Sequence, residues 1–183
     1  MIQISTPFTT ELSGSLHAGD QVILSGTIYT ARDAAHKRLT SLIEKSLPLP
    51  VDLSESMLYY TGPTPARPGK VIGSAGPTTS SRMDKYTPLL LEKTGLKGII
   101  GKGDRNDAVI AALKRYQCTY FAALGGAGAL LSKCIVKSEL VAYEDLGPEA
   151  IYKLEVRNFP LIVAIDQNGN NLFKSGPAEY RIN

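Results

Sequence analysis

The sequence predicts a single α/β domain over residues 1–183, with a mostly parallel sheet and an antiparallel element at the carboxyl end. Three observations lead there. Short β-branched runs alternate with segments whose apolar residues recur at helical spacing, the pattern of a parallel sheet with helical crossovers. A chain of 183 residues, 43% hydrophobic and 20% charged, suits one core and buries more than half of its unfolded surface. Near the end, Asn168-Gly169 lies between two strand-like runs, a strong hairpin signal.

Residues 22–29 are rich in β-branched side chains and follow the turn signal Ala18-Gly19-Asp20, which predicts a strand. Thr30 has the side chain of an N-cap, Asp33 stands three positions on in a capping-box-like arrangement, and Leu39, Leu42, Ile43 and Leu47 mark the face of a helix ending before Pro48. A Pro-rich stretch, 61–69, reads as a loop within one domain, because the units on either side cannot close a sheet alone. Beyond it, 70–74 predicts a strand and the apolar run around Leu89, Leu90 and Leu91 a helix, joined by a Gly-Pro-Thr-Thr-Ser-Ser loop. Strand and helix then repeat: 97–101 and 105–117, 119–124 and 127–133. At the tail, 160–166 and 171–174 are expected to pair across the Asn-Gly turn.

Composition narrows the function. Two cysteines, Cys118 and Cys134, lie outside any C-x-x-C pair and read as buried thiols, not as a disulfide framework or a metal site. The first seven residues lack a basic region followed by an apolar run, and no stretch approaches a membrane span, so a cytoplasmic protein is expected. A net charge of +3, with the basic residues interspersed among acidic ones, does not make a nucleic-acid surface. The only histidines are His17 and His36. With no G-x-S-x-G elbow and no paired-His spacing, a triad hydrolase or zinc enzyme is disfavoured, and His36 reads as a structural group.

In parallel sheets, ligands gather where strand ends open into helix amino termini. Here those positions are Thr30 to Asp33, Gly76 to Arg82, Gly101 to Arg105, and Gly125-Gly126, which together suit a small anion. Each also has a plain structural reading: the Thr/Ser loop as a helix cap, the paired glycines as room for tight packing. Gly101-Lys102-Gly103 is not a Walker loop, because Gly95 is one position out of register and Gly103 stands where Ser or Thr is required.

Read together, the segments Gly26-Thr27-Ile28-Tyr29-Thr30-Ala31-Arg32-Asp33-Ala34-Ala35-His36-Lys37-Arg38, Gly76-Pro77-Thr78-Thr79-Ser80-Ser81-Arg82-Met83-Asp84, Gly101-Lys102-Gly103-Asp104-Arg105 and Tyr143-Glu144-Asp145-Leu146-Gly147-Pro148-Glu149-Ala150-Ile151 closely resemble the carboxy-terminal half of iron-sulfur hydro-lyases. That family contains class I fumarases and L-tartrate dehydratases, and the likeness runs over nearly the whole chain in the same order. It implies a swivelling β/β/α domain and the β subunit of a fumarate hydratase, which adds water reversibly to fumarate to give L-malate. The four-iron four-sulfur cluster would be carried by a separate α subunit in an α2β2 enzyme, where its open iron would act as a Lewis acid on the leaving hydroxyl. By the same resemblance Arg32, Arg82 and Lys102 bind substrate, and Thr78 is the candidate catalytic base. Two arginines and a lysine suit a dicarboxylate that gains negative charge on deprotonation. An alkyl hydroxyl serves as a base only in a strongly electropositive pocket. The alternatives are an L-tartrate dehydratase β subunit and a non-catalytic anion-binding α/β module.

Overall fold

The structure is a computed structural model that describes residues 1–124, 126–179 and 181. In chain order the regular elements are β1 (Ile2–Ser5), α1 (Thr10–Gly14), β2 (Gln21–Thr30), α2 (Asp33–Glu44), β3 (Met57–Tyr59), α3 (Thr87–Thr94), β4 (Gly98–Gly101), α4 (Asp107–Tyr116), β5 (Thr119–Ala122), α5 (Gly128–Leu131), β6 (Ile135–Ala142), β7 (Ile151–Ile165) and α6 (Leu172–Glu179). Single 3-10 turns occupy Ser80–Met83 and Ser132–Cys134, and Glu144–Glu149 holds two short 3-10 pieces that meet at a kink at Gly147.

Among the described residues, seven strands form one sheet in the order β1-β2-β3-β4-β5-β7-β6, with β7 also pairing β2. β1 to β5 run parallel to their neighbours, whereas β7 is antiparallel to β2, β5 and β6. The pairings close β2, β3, β4, β5 and β7 into a ring. One edge of the long β7 serves β2, and the other serves β6 through its first half and β5 through its last residues.

Alternation along these strands divides the apolar residues in two. Val22, Leu24, Ile28, Met57, Tyr59, Ile100, Phe121, Leu161 and Val163 fill the ring, with Phe8 and Leu16 from the amino-terminal segment. Leu58, Tyr60, Ile99, Tyr120 and Ala164 face outward and pack under α2, α3 and α4 through Leu39, Leu90, Leu91, Val109 and Leu113. Each fully buried side chain of this size contributes about 1.5–3 kcal/mol, so both layers hold the ring in shape.

Most expected elements occur within a few residues of their sequence-predicted limits, and three expectations need correction. Thr30 is not an N-cap. It ends β2, where its hydroxyl donates to Ala150 O and accepts from Tyr152 N, and Arg32 takes the cap position with no side-chain cap bond. No strand covers residues 70–74; the strand lies upstream at β3, and Gly73 N instead bonds Thr64 O within a loop. The tail hairpin has only its first arm. Asn171 bridges Ile165, but its Oδ1 accepts from Phe173 N and turns the chain into α6. No helix among the described residues is long and apolar enough to cross a membrane.

Candidate active site

Because β2, β3 and β4 are parallel neighbours, their carboxyl ends lie on one edge of the ring, and each delivers part of the predicted constellation. Arg32 follows β2 after Ala31. Lys102 follows β4 directly. The chain after β3 takes a longer route: Thr61 pairs with Pro77 across an antiparallel bridge, and Thr61 Oγ1 donates to Gly76 O at 2.7 Å. Residues 62–76 are thus an excursion closed at its base, and Thr78 stands just beyond the closure with its N–H 2.7 Å from Tyr60 O.

The segment after Thr78 is stitched to the end of β4. Thr79 and Lys102 form a parallel bridge, Ser80 N donates to Lys102 O at 2.9 Å, and Lys102 N donates to Ser80 Oγ at 3.1 Å. The Tyr120 hydroxyl lies 2.9 Å from Ser80 Oγ and 2.8 Å from Gly103 O. A Cβ at Gly101 would collide with the Ser80 hydroxyl, which gives that glycine its reason. Below this stitch, Arg105 is fully buried; its Nε donates to Asp84 Oδ1 at 2.7 Å and its Nη2 to Thr87 Oγ1 at 2.8 Å. The expected cap role of the Thr/Ser loop is absent. Thr79 precedes the Ser80–Met83 turn without a side-chain cap bond, and the Ser80 hydroxyl is spent on Lys102.

Arg32, Arg82 and the Thr78 backbone are therefore gathered at one edge, with Lys102 joined to them through the main chain. The sequence reasoning left two carboxylates without a site role. Asp33 Oδ1 accepts from Arg82 Nε at 2.9 Å, and Asp33 Oδ2 is 3.7 Å from Arg32 Nη2. Glu149 Oε1 is 3.6 Å from Arg32 Nη2, while its Oε2 accepts from Ala34 N at 2.9 Å and so caps α2. Neither pairing was read from the sequence: Asp33 stood there only as a capping-box-like residue, and Glu149 is 115 positions from Ala34, so only the fold brings it there.

The arginines keep unspent donors. The two Arg32 separations exceed normal N–H···O distances, and its Nε is buried without a hydrogen-bond partner among the described residues. Arg82, with a half-exposed side chain, bonds through Nε and leaves its terminal nitrogens clear among the described residues. A Cβ at Gly62 would come within 2.9 Å of Arg32 Cδ and Nη1, so the absence of a side chain there makes room for the guanidinium. His36 is wholly buried, edge-on to Tyr60. Its Nδ1 lies 2.8 Å from Arg32 O, where the neutral ring donates, and burial lowers its pKa to about 4. The Thr78 side chain is half-buried and its hydroxyl forms no hydrogen bond among the described residues. Gly125 lies outside the described residues; Gly126 adopts φ +76°.

The donor set does not fit a cluster bound by three cysteines. Cys118 is buried in the outer core layer, where burial pushes its thiol pKa up, and Cys134 is half-buried against the inner one. Among the described residues no group of three His, Cys, Asp or Glu side chains is arranged to hold a metal ion.

Fold and site together define an α/β ring domain that presents cations at the carboxyl edge of its parallel strands. The chain belongs to the family described as the fumarase C-terminus, whose model matches residues 1–176. It is 40% identical over 164 residues to a protein of Methanocaldococcus jannaschii provisionally named L(+)-tartrate dehydratase subunit beta, covering 87% of this chain and 84% of that one. It is 40% identical over 152 residues to the anaerobic class I fumarate hydratase of Escherichia coli K12, and 39% identical over 152 residues to the mitochondrial fumarate hydratase 1 of Leishmania major. In both of those alignments 82% of this chain is covered but only 28% of the hydratase.

Proposed function

We propose that this chain is the β subunit of a class I fumarate hydratase and catalyses the reversible hydration of fumarate to L-malate together with an iron-sulfur α subunit, as an α2β2 assembly in the cytoplasm. On this proposal residues 1–183 form one fumarase β-type domain. Support comes above all from the convergence of Arg32, Arg82, Lys102 and Thr78 at the carboxyl ends of β2, β3 and β4. Dehydration of malate removes a proton from C3 and hydroxide from C2 as the double bond forms. We assign to this chain the proton and the carboxylates. The terminal edge of Arg82 and the unspent donors of Arg32 suit one carboxylate each, with Lys102 as a compact charge beside them. Thr78 takes the C3 proton as an alkoxide, a form that only concentrated positive charge stabilises. Three cations against Asp33 and Glu149 leave a formal surplus of one, so the α subunit must add positive charge as well as the cluster.

A second reading, L-tartrate dehydratase, is favoured by one observation: the relative of comparable length bears that name. Anaerobic reconstitution with the α subunit, assayed on malate, fumarate and L-tartrate, separates the two. The chain alone is expected to be colourless and inactive. In the assembled enzyme Arg32→Gln, Arg82→Gln and Lys102→Met should each lower kcat/KM by about a hundredfold or more. Turnover by the single chain, or wild-type kinetics in all three variants, would overturn the proposal.

A further inference from the structure

Asp33 stands between the two arginines that bind substrate in the proposed function, on which this inference rests. Its Oδ1 receives the Arg82 Nε–H at 2.9 Å, and its Oδ2, buried without a hydrogen-bond partner among the described residues, lies 3.7 Å from Arg32 Nη2. Since Asp33 is the first residue of α2, its carboxylate is carried by a helix whose amino terminus Glu149 already caps through Ala34 N. A guanidinium has two edges able to grip a carboxylate, one through Nε and a terminal nitrogen, the other through both terminal nitrogens. Engaging Arg82 at Nε fixes the plane of the group and keeps the outer edge available. Unrestrained, two guanidinium groups at one strand edge repel each other and sample many rotamers, and each arriving anion would have to order them.

We propose that Asp33 is a positioning residue that locks Arg82 by its Nε edge and holds Arg32 beside it, so that both present their remaining donors to one dicarboxylate. A plain helix-dipole role for an acidic first-turn residue makes different demands, because any carboxylate at position 33 would satisfy the dipole.

Two measurements decide between them. In the isotope-labelled full chain, Asp33→Asn should speed exchange of the Arg82 Nε proton with water about tenfold, read by proton-nitrogen NMR, since the charge-assisted bond is lost. In the enzyme assembled with its α subunit, Asp33→Asn should raise KM for malate about tenfold or more with a smaller change in kcat, yet add less than about twofold in an Arg82→Gln background. Asp33→Glu keeps the charge but moves it one methylene outward. The positioning role predicts a raised KM for this variant and the dipole role a wild-type one, so it serves should Asp33→Asn fail to fold. Unchanged exchange, equal effects in both backgrounds, or a wild-type KM in Asp33→Glu would overturn the inference. If the wild-type pair turns over neither malate nor tartrate, the proposed function fails, and the exchange measurement still decides whether Asp33 holds Arg82.

Discussion

Thr78 is engaged by the fold through its backbone, and that separates its two possible uses. Its N–H is tied to Tyr60 O at 2.7 Å, while its hydroxyl caps no helix. Thr78→Ala is therefore expected to leave stability within about 0.5 kcal/mol of wild type, as for a side chain outside any structural bond. In the assembled enzyme Thr78→Ala and Thr78→Asn should both lose about a hundredfold or more in kcat, whereas Thr78→Ser keeps part of it. Denaturant titration and exchange of the malate C3 hydrogen with solvent measure the two effects separately. Wild-type turnover by Thr78→Asn would move the base to another residue. Strand ends opening into loops pointed in the sequence to the segments around Arg32, Thr78, Arg82 and Lys102, and the choice of those four side chains came from the resemblance of their motifs to the family. The carboxylates that hold Arg32 were not legible. An acidic residue beside an arginine has too many ordinary explanations, and Glu149 meets α2 only through the turn that precedes β7.

At the level of elements, the Asp84–Arg105 pair fastens the segment following the Ser80–Met83 turn to the one that leads from β4 into α4. Asp84 Oδ2 also accepts from Asn106 N at 2.9 Å, and Arg105 stacks over Tyr60 and Tyr120 with centroid distances of 5.5 and 5.0 Å. Removing one partner leaves a buried charge uncompensated, so Asp84→Asn is expected to destabilise the domain by about 3–5 kcal/mol, measured by urea titration. A variant as stable as wild type would show that water replaces the carboxylate at this joint. The sequence made α2 and α4 legible through apolar periodicity and β2 through its β-branched residues after a turn. It hid β3, whose Met57, Leu58 and Tyr59 are all buried and make a run of three residues with no β-branched side chain among them. It also hid β6, whose exposed residues alternate poorly, and α6, where the strand-like residues 171–174 follow a turn that the Asn171 side chain redirects.

For the whole molecule, closure of the ring depends on pairings far apart in sequence, such as Gln21 with Ile162 and Tyr120 with Ile165, which local patterns cannot announce. The layer between the ring and its helices makes folding sensitive to acid through His36, which is buried on α2 against Tyr60. Its pKa lies at about 4 in the folded chain against an ordinary 6.5, so the unfolded state binds the proton first as pH falls. The stability that follows from the neutral ring is complete above pH 6.5 and is lost on the way down to about pH 4. Two to three pH units correspond to on the order of 3 kcal/mol. Urea titrations from pH 7 to 4 should show this loss in wild type and a flatter profile in His36→Gln, and parallel profiles would assign the acid sensitivity to other groups. The bridge from Thr61 to Pro77 has a separate implication. Because that seam is sewn before Thr78 begins, chain length between 62 and 76 is uncoupled from the position of the reacting hydroxyl, and doubling such a loop costs only about 0.6 kcal/mol in closure entropy. The excursion is the fold's tailoring allowance, a hem that can be let out while the working edge stays where it was cut.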